Sequence, residues 1–241
     1  MSAALDRELE RRSGEIRMII TIDGPAGTGK SSVARLVADR LGFDFLDTGA
    51  MYRAIGLEAL RRNASMEDQR ELSFIAKHCR IEFDWSQQPP EVLLNDEPVG
   101  HLLRSADATR AASYVAVVPA IRSQLVEQQQ RIGRERPDLV TEGRDQGSVV
   151  FPAAELKFYL DATPQERARG RAAQLRARGE MVDPQEILGQ ILSRDQRDSS
   201  RSVGPLSVPN DAQVIDTTAI SQDEVVDRIV ARVRESRGPS G

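Results

Sequence analysis

Residues 24–31 read Gly24-Pro25-Ala26-Gly27-Thr28-Gly29-Lys30-Ser31, which is a complete G-x-x-x-x-G-K-[ST] phosphate-binding loop. The apolar, β-branched run 18–23 precedes the loop and has the length of a strand, and apolar residues at helical spacing follow it over 32–38. A strand, a glycine-rich loop and a helix in this order are the context in which the motif holds nucleotide phosphates. The sequence therefore predicts a nucleoside triphosphate site.

Each residue type in this loop has a physical reason to be there. Gly24, Gly27 and Gly29 allow backbone conformations in which successive N–H groups point at phosphate oxygens, and the start of the next helix adds partial positive charge. Lys30 supplies a cation for the β- and γ-phosphates, and the hydroxyl of Ser31 is placed to ligate magnesium. We therefore predict that ATP binds at Gly24, Pro25, Ala26, Gly27, Thr28, Gly29, Lys30, Ser31 and Ser32.

The composition restricts the possible classes of protein. The chain has 241 residues and a formal net charge of −4, which suits one elaborated domain and gives no reason to expect nucleic-acid binding. A single cysteine, Cys79, excludes an internal disulfide framework, and the two histidines form no metal-ligand cluster with it. Segment 1–15 lacks the apolar core of a signal peptide, and no apolar stretch approaches the roughly 18 residues of a membrane span. We expect a soluble, cytoplasmic protein without membrane contacts, and a monomer by default.

Strand and helix signals alternate along the rest of the chain. Further strands are predicted at 43–46, 139–141, 156–161 and 214–216, and helices at 48–62, 67–77, 163–178, 183–199 and 225–233. Thr48 is the predicted N-cap of the first of these helices. Helical signals also extend over 105–136, where Pro119 starts a second helix. Strands separated by helices imply an α/β fold, with a central parallel sheet covered on both faces and binding sites at the carboxyl ends of the strands.

The segment 66–104 differs from this pattern. Polar and apolar residues alternate over 80–85 and 91–94, and turn residues follow at 95–98. Such one-sided strands are unlike the buried strands of a parallel sheet, so we predict a small antiparallel sheet. The predicted organisation is a polar extension (1–15), a core built around the phosphate-binding loop (16–65 and 105–236), an inserted subdomain (66–104) and, within the core, an arginine-rich lid (163–183).

Phosphate-binding loops occur in motors, switches and kinases, and other residues must distinguish these classes. A switch GTPase needs a base-reading Asn-Lys-x-Asp segment, which the sequence lacks. A motor ATPase needs a strand ending in adjacent carboxylates and further domains. Instead, arginines accompany short polar residues at 46–53, 142–148 and 194–201. A small-molecule kinase uses such arginines to hold two anionic substrates together, and we favour that class.

One arginine-rich set lies on a predicted helix. Spacings of three, four and seven residues place Arg194, Arg197, Asp198 and Arg201 on one helical face. In isolation such a face, like the stretch 167–178, would be a solvated surface with intrahelical ion pairs. In a kinase, the same groups are expected to close onto phosphates.

Four segments together resemble bacterial cytidylate kinases: 22–30, 46–53, 142–152 and 194–198. Their order and spacing match across residues 17 to about 236, and the middle two segments are specific to this family among nucleoside monophosphate kinases. The resemblance implies an extra three-stranded sheet in the nucleotide-binding subdomain. It also implies transfer of the ATP γ-phosphate to CMP or dCMP, with magnesium.

The resemblance assigns roles to individual residues. Ser113, Arg122 and Asp145 would read the cytosine, whose exocyclic amino group donates to a carboxylate, whereas uracil has an acceptor there. Positions matching CMP-binding residues are Thr48, Tyr52, Arg53, Ser113, Arg122, Arg144, Asp145, Arg194, Asp198 and Arg201. Catalytic roles would fall to Lys30, Arg144 and Arg201, and to Arg167 and Arg171 in the stretch that matches the lid. Ser31 is the metal ligand.

Two other hypotheses remain open. The chain could phosphorylate another small acceptor such as UMP, AMP or shikimate, although the set Ser113, Arg122 and Asp145 argues against this. It could also be a nucleotide-dependent switch or binding protein without rapid turnover, against which the missing base-reading motif argues.

Overall fold

The computed structural model describes residues 18–177 and 179–237; the predicted extension over 1–15, and Arg178 of the predicted arginine-rich helix, lie outside them. The strands are β1 (Met18–Asp23), β2 (Asp44–Asp47), β3 (Ile81–Asp84), β4 (Glu91–Leu94), β5 (Glu97–Pro98), β6 (Asp138–Glu142), β7 (Leu156–Asp161) and β8 (Gln213–Asp216). The helices are α1 (Lys30–Leu41), α2 (Thr48–Arg61), α3 (Gln69–His78), α4 (Ala106–Val115), α5 (Pro119–Glu135), α6 (Pro164–Ala177), α7 (Pro184–Ser200) and α8 (Gln222–Arg237). A short 3₁₀ helix spans Leu102–Arg104, and a π-helical turn spans Gln146–Val150.

Five parallel strands form the main sheet, in the order β2-β6-β1-β7-β8. β1 lies at the centre, where Ile20 is opposite Val140 of β6 and Leu156 of β7. The near-continuous burial of β1 explains its apolar, β-branched sequence. The predicted parallel sheet is confirmed, and the loops that follow β1, β6 and β7 meet at its carboxyl edge.

Hydrophobic side chains cover both faces of this sheet. On one face, α1 and α8 pack against it, with Val33 and Ile229 among the buried residues. On the other face, α2, α4 and α5 form a second core that includes Ile55, Leu125 and Leu139. Within the described ranges, no helix combines the length and the apolar character needed to cross a membrane.

The small antiparallel sheet has the order β3-β4-β5. Asn95 and Asp96 have positive φ angles of 51° and 70° and connect β4 to β5, as in a tight hairpin turn. The turn residues predict that Glu97–Pro98 belong to this turn, which is wrong, because these two residues pair with Leu94 and Leu93 of β4. The side chain of Leu94 is buried in the same core as α2, so the small sheet packs on the main body. Its proposed limits, 66–104, remain a prediction.

The N-terminus of α2 also differs from the prediction. Asp47, not Thr48, caps the helix, because its carboxylate accepts the N–H of Ala50 at 2.9 Å. Thr48 is the first helical residue, and its hydroxyl donates to the carbonyl of Glu142 at 2.7 Å. The threonine thus joins α2 to the end of β6 instead of closing its own helix.

Candidate active site

The loop after β1 has the shape that its glycines predict. Gly24 has a φ of 147°, and a Cβ at this position would lie 2.1 Å from the carbonyl oxygen of Leu160. The ammonium group of Lys30 donates to the carbonyl of Pro25 at 2.6 Å and lies 3.2 Å from the Thr28 hydroxyl. The side chain of Lys30 is therefore buried, and its ammonium group lies against the backbone of the loop.

Several cations are buried close together next to this loop. Burial, followed by the positive charge of Arg144, lowers the pKa of Lys30 well below its ordinary value. Burial and Arg144 likewise lower the pKa of Arg194, to about 10. Because Arg144 lowers the pKa of both Lys30 and Arg194, this group of buried cations forms a site that favours anionic ligands.

Ser31 connects the loop to β6. Its hydroxyl donates to Glu142 Oε1 at 2.7 Å. Burial, reinforced by Asp47, raises the pKa of Glu142. Because the only hydrogen of Ser31 Oγ is directed to Glu142, the oxygen keeps its lone pairs for a cation. In the part of the chain that the structure describes, no group of three or more His, Cys, Asp or Glu side chains could hold a metal by itself.

A chain of alternating arginines and aspartates extends from the loop after β6. Arg122 forms an ion pair with Asp145, and both side chains are almost fully buried. Arg201 lies between the two aspartates, with Nη2 3.7 Å from Asp145 Oδ1 and Nη1 3.6 Å from Asp198 Oδ1. Arg144 Nε donates to Asp198 Oδ2 at 2.8 Å. The structure therefore brings together five residues that the sequence analysis assigned to CMP.

Three buried N–H groups of this region have no hydrogen-bond acceptor among the described residues. They are Arg122 Nε, Arg194 Nε and Arg201 Nη2. A buried donor without a partner costs about 1–3 kcal/mol, which makes these groups candidates for binding ligand oxygens.

Two further predicted residues, Tyr52 and Arg53, flank this cluster from α2. Arg53 Nη2 donates to Asp47 Oδ2 at 2.6 Å. The ring of Tyr52 lies 5.6 Å from the guanidinium carbon of Arg122, and burial raises the pKa of its phenol to about 12. α2 thus contributes a neutral aromatic surface and a cation to the same site.

The prediction of one shared helical face is wrong for Arg201 only. Arg194, Arg197 and Asp198 lie on α7 at the predicted spacing, and Arg197 Nε donates to the hydroxyl of Ser113 on α4 at 2.9 Å. Arg201 follows the last residue of α7 and has extended backbone, with ψ 143°. Its guanidinium still reaches Asp198 and Asp145, because the chain turns there towards Gly204, whose carbonyl accepts from Arg201 Nε.

The arginine at the base of α6 contacts the phosphate-binding loop directly. Arg167 Nη1 donates to the carbonyl of Ala26 at 2.8 Å and to Asp195 Oδ2 at 2.5 Å. Asp195 Oδ1 in turn accepts the N–H of Ala26 at 3.0 Å. Arg171, the second predicted lid arginine, lies one turn further along α6 and is half-buried.

The cavity beside the phosphate-binding loop is a part of the site that the sequence did not predict. A cavity of about 180 Å³ lies beside the loop, lined by Gly27–Gly29 and Arg167 together with Thr217, Thr218 and Ile220. The last three residues follow β8 at the carboxyl edge of the sheet. The rule that sites form at this edge could have identified them, although no motif marks them.

Comparisons with known proteins agree with this geometry. The family model for cytidylate kinase matches residues 20–235. Cytidylate kinases from Shewanella loihica and Pelotomaculum thermopropionicum are 40% and 44% identical over 218 and 219 residues, covering 90% of this chain and 94% and 96% of theirs. A bifunctional pantoate ligase/cytidylate kinase from Synechococcus sp. is 45% identical over 93% of this chain, which spans 42% of that protein. An uncharacterized protein from Eubacterium ventriosum shares the fold, with a TM-score of 0.50 at 14% identity, over 90% of this chain and 98% of its own.

Proposed function

The chain belongs to the cytidylate kinase family, and on that premise we propose that it transfers the γ-phosphate of ATP to CMP or dCMP, giving CDP or dCDP. The observation that carries this proposal is the buried pair Arg122–Asp145, which stands at the same sheet edge as the loop of Lys30. A pair that would read the acceptor base thus lies at the same edge of the sheet as a loop that would hold ATP.

The donor site is supported by the loop and the adjacent cavity. The N–H groups of residues 24–32 and the ammonium of Lys30 would hold the phosphates of ATP. The cavity lined by Thr217, Thr218 and Ile220 would take its nucleoside. Arg167 forms part of both the cavity wall and the loop's support.

The acceptor site is supported by the chemistry of its buried groups. Asp145 would accept a hydrogen bond from the exocyclic amino group of cytosine, whereas uracil presents an oxygen that the carboxylate repels. Arg122 has an unpaired buried Nε among the described residues, and this N–H would donate to the acceptor side of the ring. Ser113 and Tyr52 would complete the nucleoside site.

The monophosphate of the acceptor would be held by arginines. Arg53, Arg144 and Arg201 would take this role, and Arg194 and Asp198 would meet or orient the ribose. The three arginines of the phosphate site form ion pairs in the structure: Arg53 with Asp47, Arg144 with Asp198, and Arg201 with both Asp145 and Asp198. Planar guanidinium groups suit phosphate oxygens because they can donate two parallel hydrogen bonds.

No side chain needs to act as a base in the proposed transfer, because the attacking phosphate oxygen of CMP is already ionised. This oxygen forms a bond to the γ-phosphorus while the bond from that phosphorus to the β–γ bridging oxygen breaks, and ADP leaves. Lys30 and the arginines, including Arg167 and Arg171 of the lid, would stabilise the charge on the transferred group.

Magnesium fits the residues that are present. Ser31 Oγ donates to Glu142 and so offers a lone pair to a cation, while the remaining ligands would come from ATP and water. When bound, the ion would neutralise charge on the β- and γ-phosphates. The proposed partners are therefore ATP and CMP or dCMP; a cytoplasmic monomer remains the expectation from the sequence.

A panel of acceptors tests the proposal. The enzyme is incubated with ATP and, separately, with CMP, dCMP, UMP, AMP and GMP, and ADP formation is followed in a coupled assay. We expect the highest kcat/KM with CMP or dCMP. A higher kcat/KM with UMP, AMP or GMP would contradict the assignment of the acceptor, and ATP binding without turnover would favour a switch or binding protein.

A further inference from the structure

Arg197 has no role in the proposed chemistry, yet it makes specific contacts. Its Nε donates to Ser113 Oγ at 2.9 Å, and its Nη1 donates to Ser193 Oγ at 2.7 Å. Its guanidinium carbon lies 5.8 Å from the centre of the Tyr114 ring. The side chain of Arg197 is therefore fixed by three neighbours, on both α4 and α7.

The contact with Ser113 restricts what that hydroxyl can do. A guanidinium can only donate, so Arg197 occupies one lone pair of Ser113 Oγ and holds the oxygen in place. The hydroxyl hydrogen and the second lone pair remain for another partner. Ser113 itself is only 5% exposed, so it cannot exchange Arg197 for bulk water without a structural change.

Arg197 also lies next to residues that contact the phosphate sites. Asp198, its neighbour, accepts from Arg144, and Asp195, two residues earlier, binds the N–H of Ala26. The same helix α7 therefore contacts the donor loop, the acceptor arginines and Ser113. A shift of α7 along its axis would alter all three contacts.

We propose that Arg197 is a specificity-determining positioning residue, which holds Ser113 in the orientation that selects cytosine and links this selection to the position of α7. The inference rests on the proposed function, because it requires Ser113 to face the acceptor base. According to this proposal, Arg197 does not contact the substrate and does not change the KM for ATP.

A double-mutant cycle tests this role. Arg197→Met removes the donors and keeps the aliphatic stem, Ser113→Ala removes the hydroxyl, and the double variant removes both. We expect each single variant to lower kcat/KM for CMP about tenfold, the equivalent of one hydrogen bond to a charged group. The ratio of kcat/KM for CMP to that for UMP should narrow, and the KM for ATP should change less than about twofold. The double variant should behave like either single variant.

Two controls separate this role from a structural one. Arg110→Met makes the same substitution at an exposed position on α4 and should leave all parameters unchanged. Arg197→Lys keeps a cation and a donor and should recover part of the CMP preference, and thermal melting confirms that each variant is folded.

The possible outcomes test the role of Ser113 separately from the role of Arg197. If Ser113→Ala leaves the CMP-to-UMP ratio unchanged, Ser113 does not read the base, and both its proposed role and that of Arg197 are wrong. If Ser113→Ala narrows the ratio but Arg197→Met does not, only the role of Arg197 fails. The role of Arg197 would also be wrong if the losses of kcat/KM in the two single variants added up in the double variant. Equal losses of kcat/KM for CMP, UMP and ATP would contradict it as well.

Discussion

Asp23 and Gly147 connect the phosphate-binding loop to the loop after β6: Asp23 Oδ2 accepts the N–H of Gly147 at 2.7 Å, and Oδ1 accepts that of Gln146 at 2.9 Å. Asp23 is the last residue of β1, immediately before the phosphate-binding loop. Gln146 and Gly147 come immediately after Arg144 and Asp145. One buried carboxylate therefore joins the phosphate-binding loop to the loop after β6.

This carboxylate predicts a pH-dependent stability. Burial raises the pKa of Asp23 from 3.8 to about 6, although the N–H groups of Gly147 and Gln146 oppose the shift. Between about pH 4 and pH 6 the folded protein holds a proton that the unfolded chain has lost. The stability that this proton contributes is therefore fully present below about pH 4 and is lost as the pH rises through 6, by about 3 kcal/mol in total.

Urea unfolding of the wild type and of Asp23→Asn at pH 4, 5, 6 and 7 measures this contribution. The free energy of unfolding of the wild type minus that of the variant should fall with rising pH and level off above about pH 6. A difference that does not change with pH would show that Asp23 has an ordinary pKa in the folded state.

Lys30→Ala should abolish turnover, with kcat reduced at least about 1,000-fold, because the transferred phosphate loses a preorganised cation in a buried site. Binding of CMP should be retained, since the acceptor arginines lie on other elements. Isothermal titration calorimetry with CMP measures the second expectation. A variant that is folded but no longer binds CMP would show that the two sites are not divided as we propose.

Asp145→Ala should remove most CMP activity and narrow the preference for CMP over UMP. Discrimination by a well-placed polar contact to a base edge is worth about 1–3 kcal/mol, so the ratio of the two kcat/KM values should fall by about 10- to 100-fold. Steady-state kinetics with both acceptors provides the measurement. An unchanged ratio would exclude the role that we assign to this carboxylate.

Gly204→Ala should disturb the acceptor site without touching the donor loop. Gly204 has a φ of 57°, and a Cβ there would lie 2.2 Å from Asp145 Oδ2 and 2.5 Å from Arg122 Nη2. The pair Arg122–Asp145 must move, so kcat/KM for CMP should fall about tenfold or more while binding of ATP persists.

Gly189→Ala is the matched control for this substitution. Gly189 is exposed on α7, and a Cβ there meets no atom within 4 Å among the described residues. The change should stabilise the protein by about 1 kcal/mol, because alanine is the better helix former, and leave the kinetics unaltered. Wild-type kinetics for Gly204→Ala would contradict the packing described around Asp145.

The parallel sheet could be predicted from the sequence because its central strand β1 is almost continuously buried and so is an apolar, β-branched run, and because helical signals separate the strands. β5 could not, since it has only two residues, Glu97 and Pro98, which both resemble turn residues. The sequence predicts the N-cap of α2 one residue late, at Thr48 instead of Asp47. Asp47 and Thr48 are both good capping residues, and only the position of Glu142 decides what the threonine contacts.

The candidate site also has parts that could be predicted from the sequence and parts that could not. The loop of Lys30 is local in sequence and could be identified completely from its motif. The roles of Ser113, Arg122 and Asp145 came from the resemblance to a family and remain predictions. Periodicity could not predict the direction of Arg197, because its contact with Ser113 depends on how α4 and α7 pack.

The contacts made by α7 set how this helix can change during evolution or engineering. Asp195, Arg197 and Asp198 each reach a different neighbour, on the donor loop, on α4 and on the loop after β6. Inserting or deleting one residue before them would rotate all three side chains by about 100° around the helix axis. Point substitutions on the exposed side of α7 should therefore be tolerated, whereas a change in the length of the helix would break all three contacts at once.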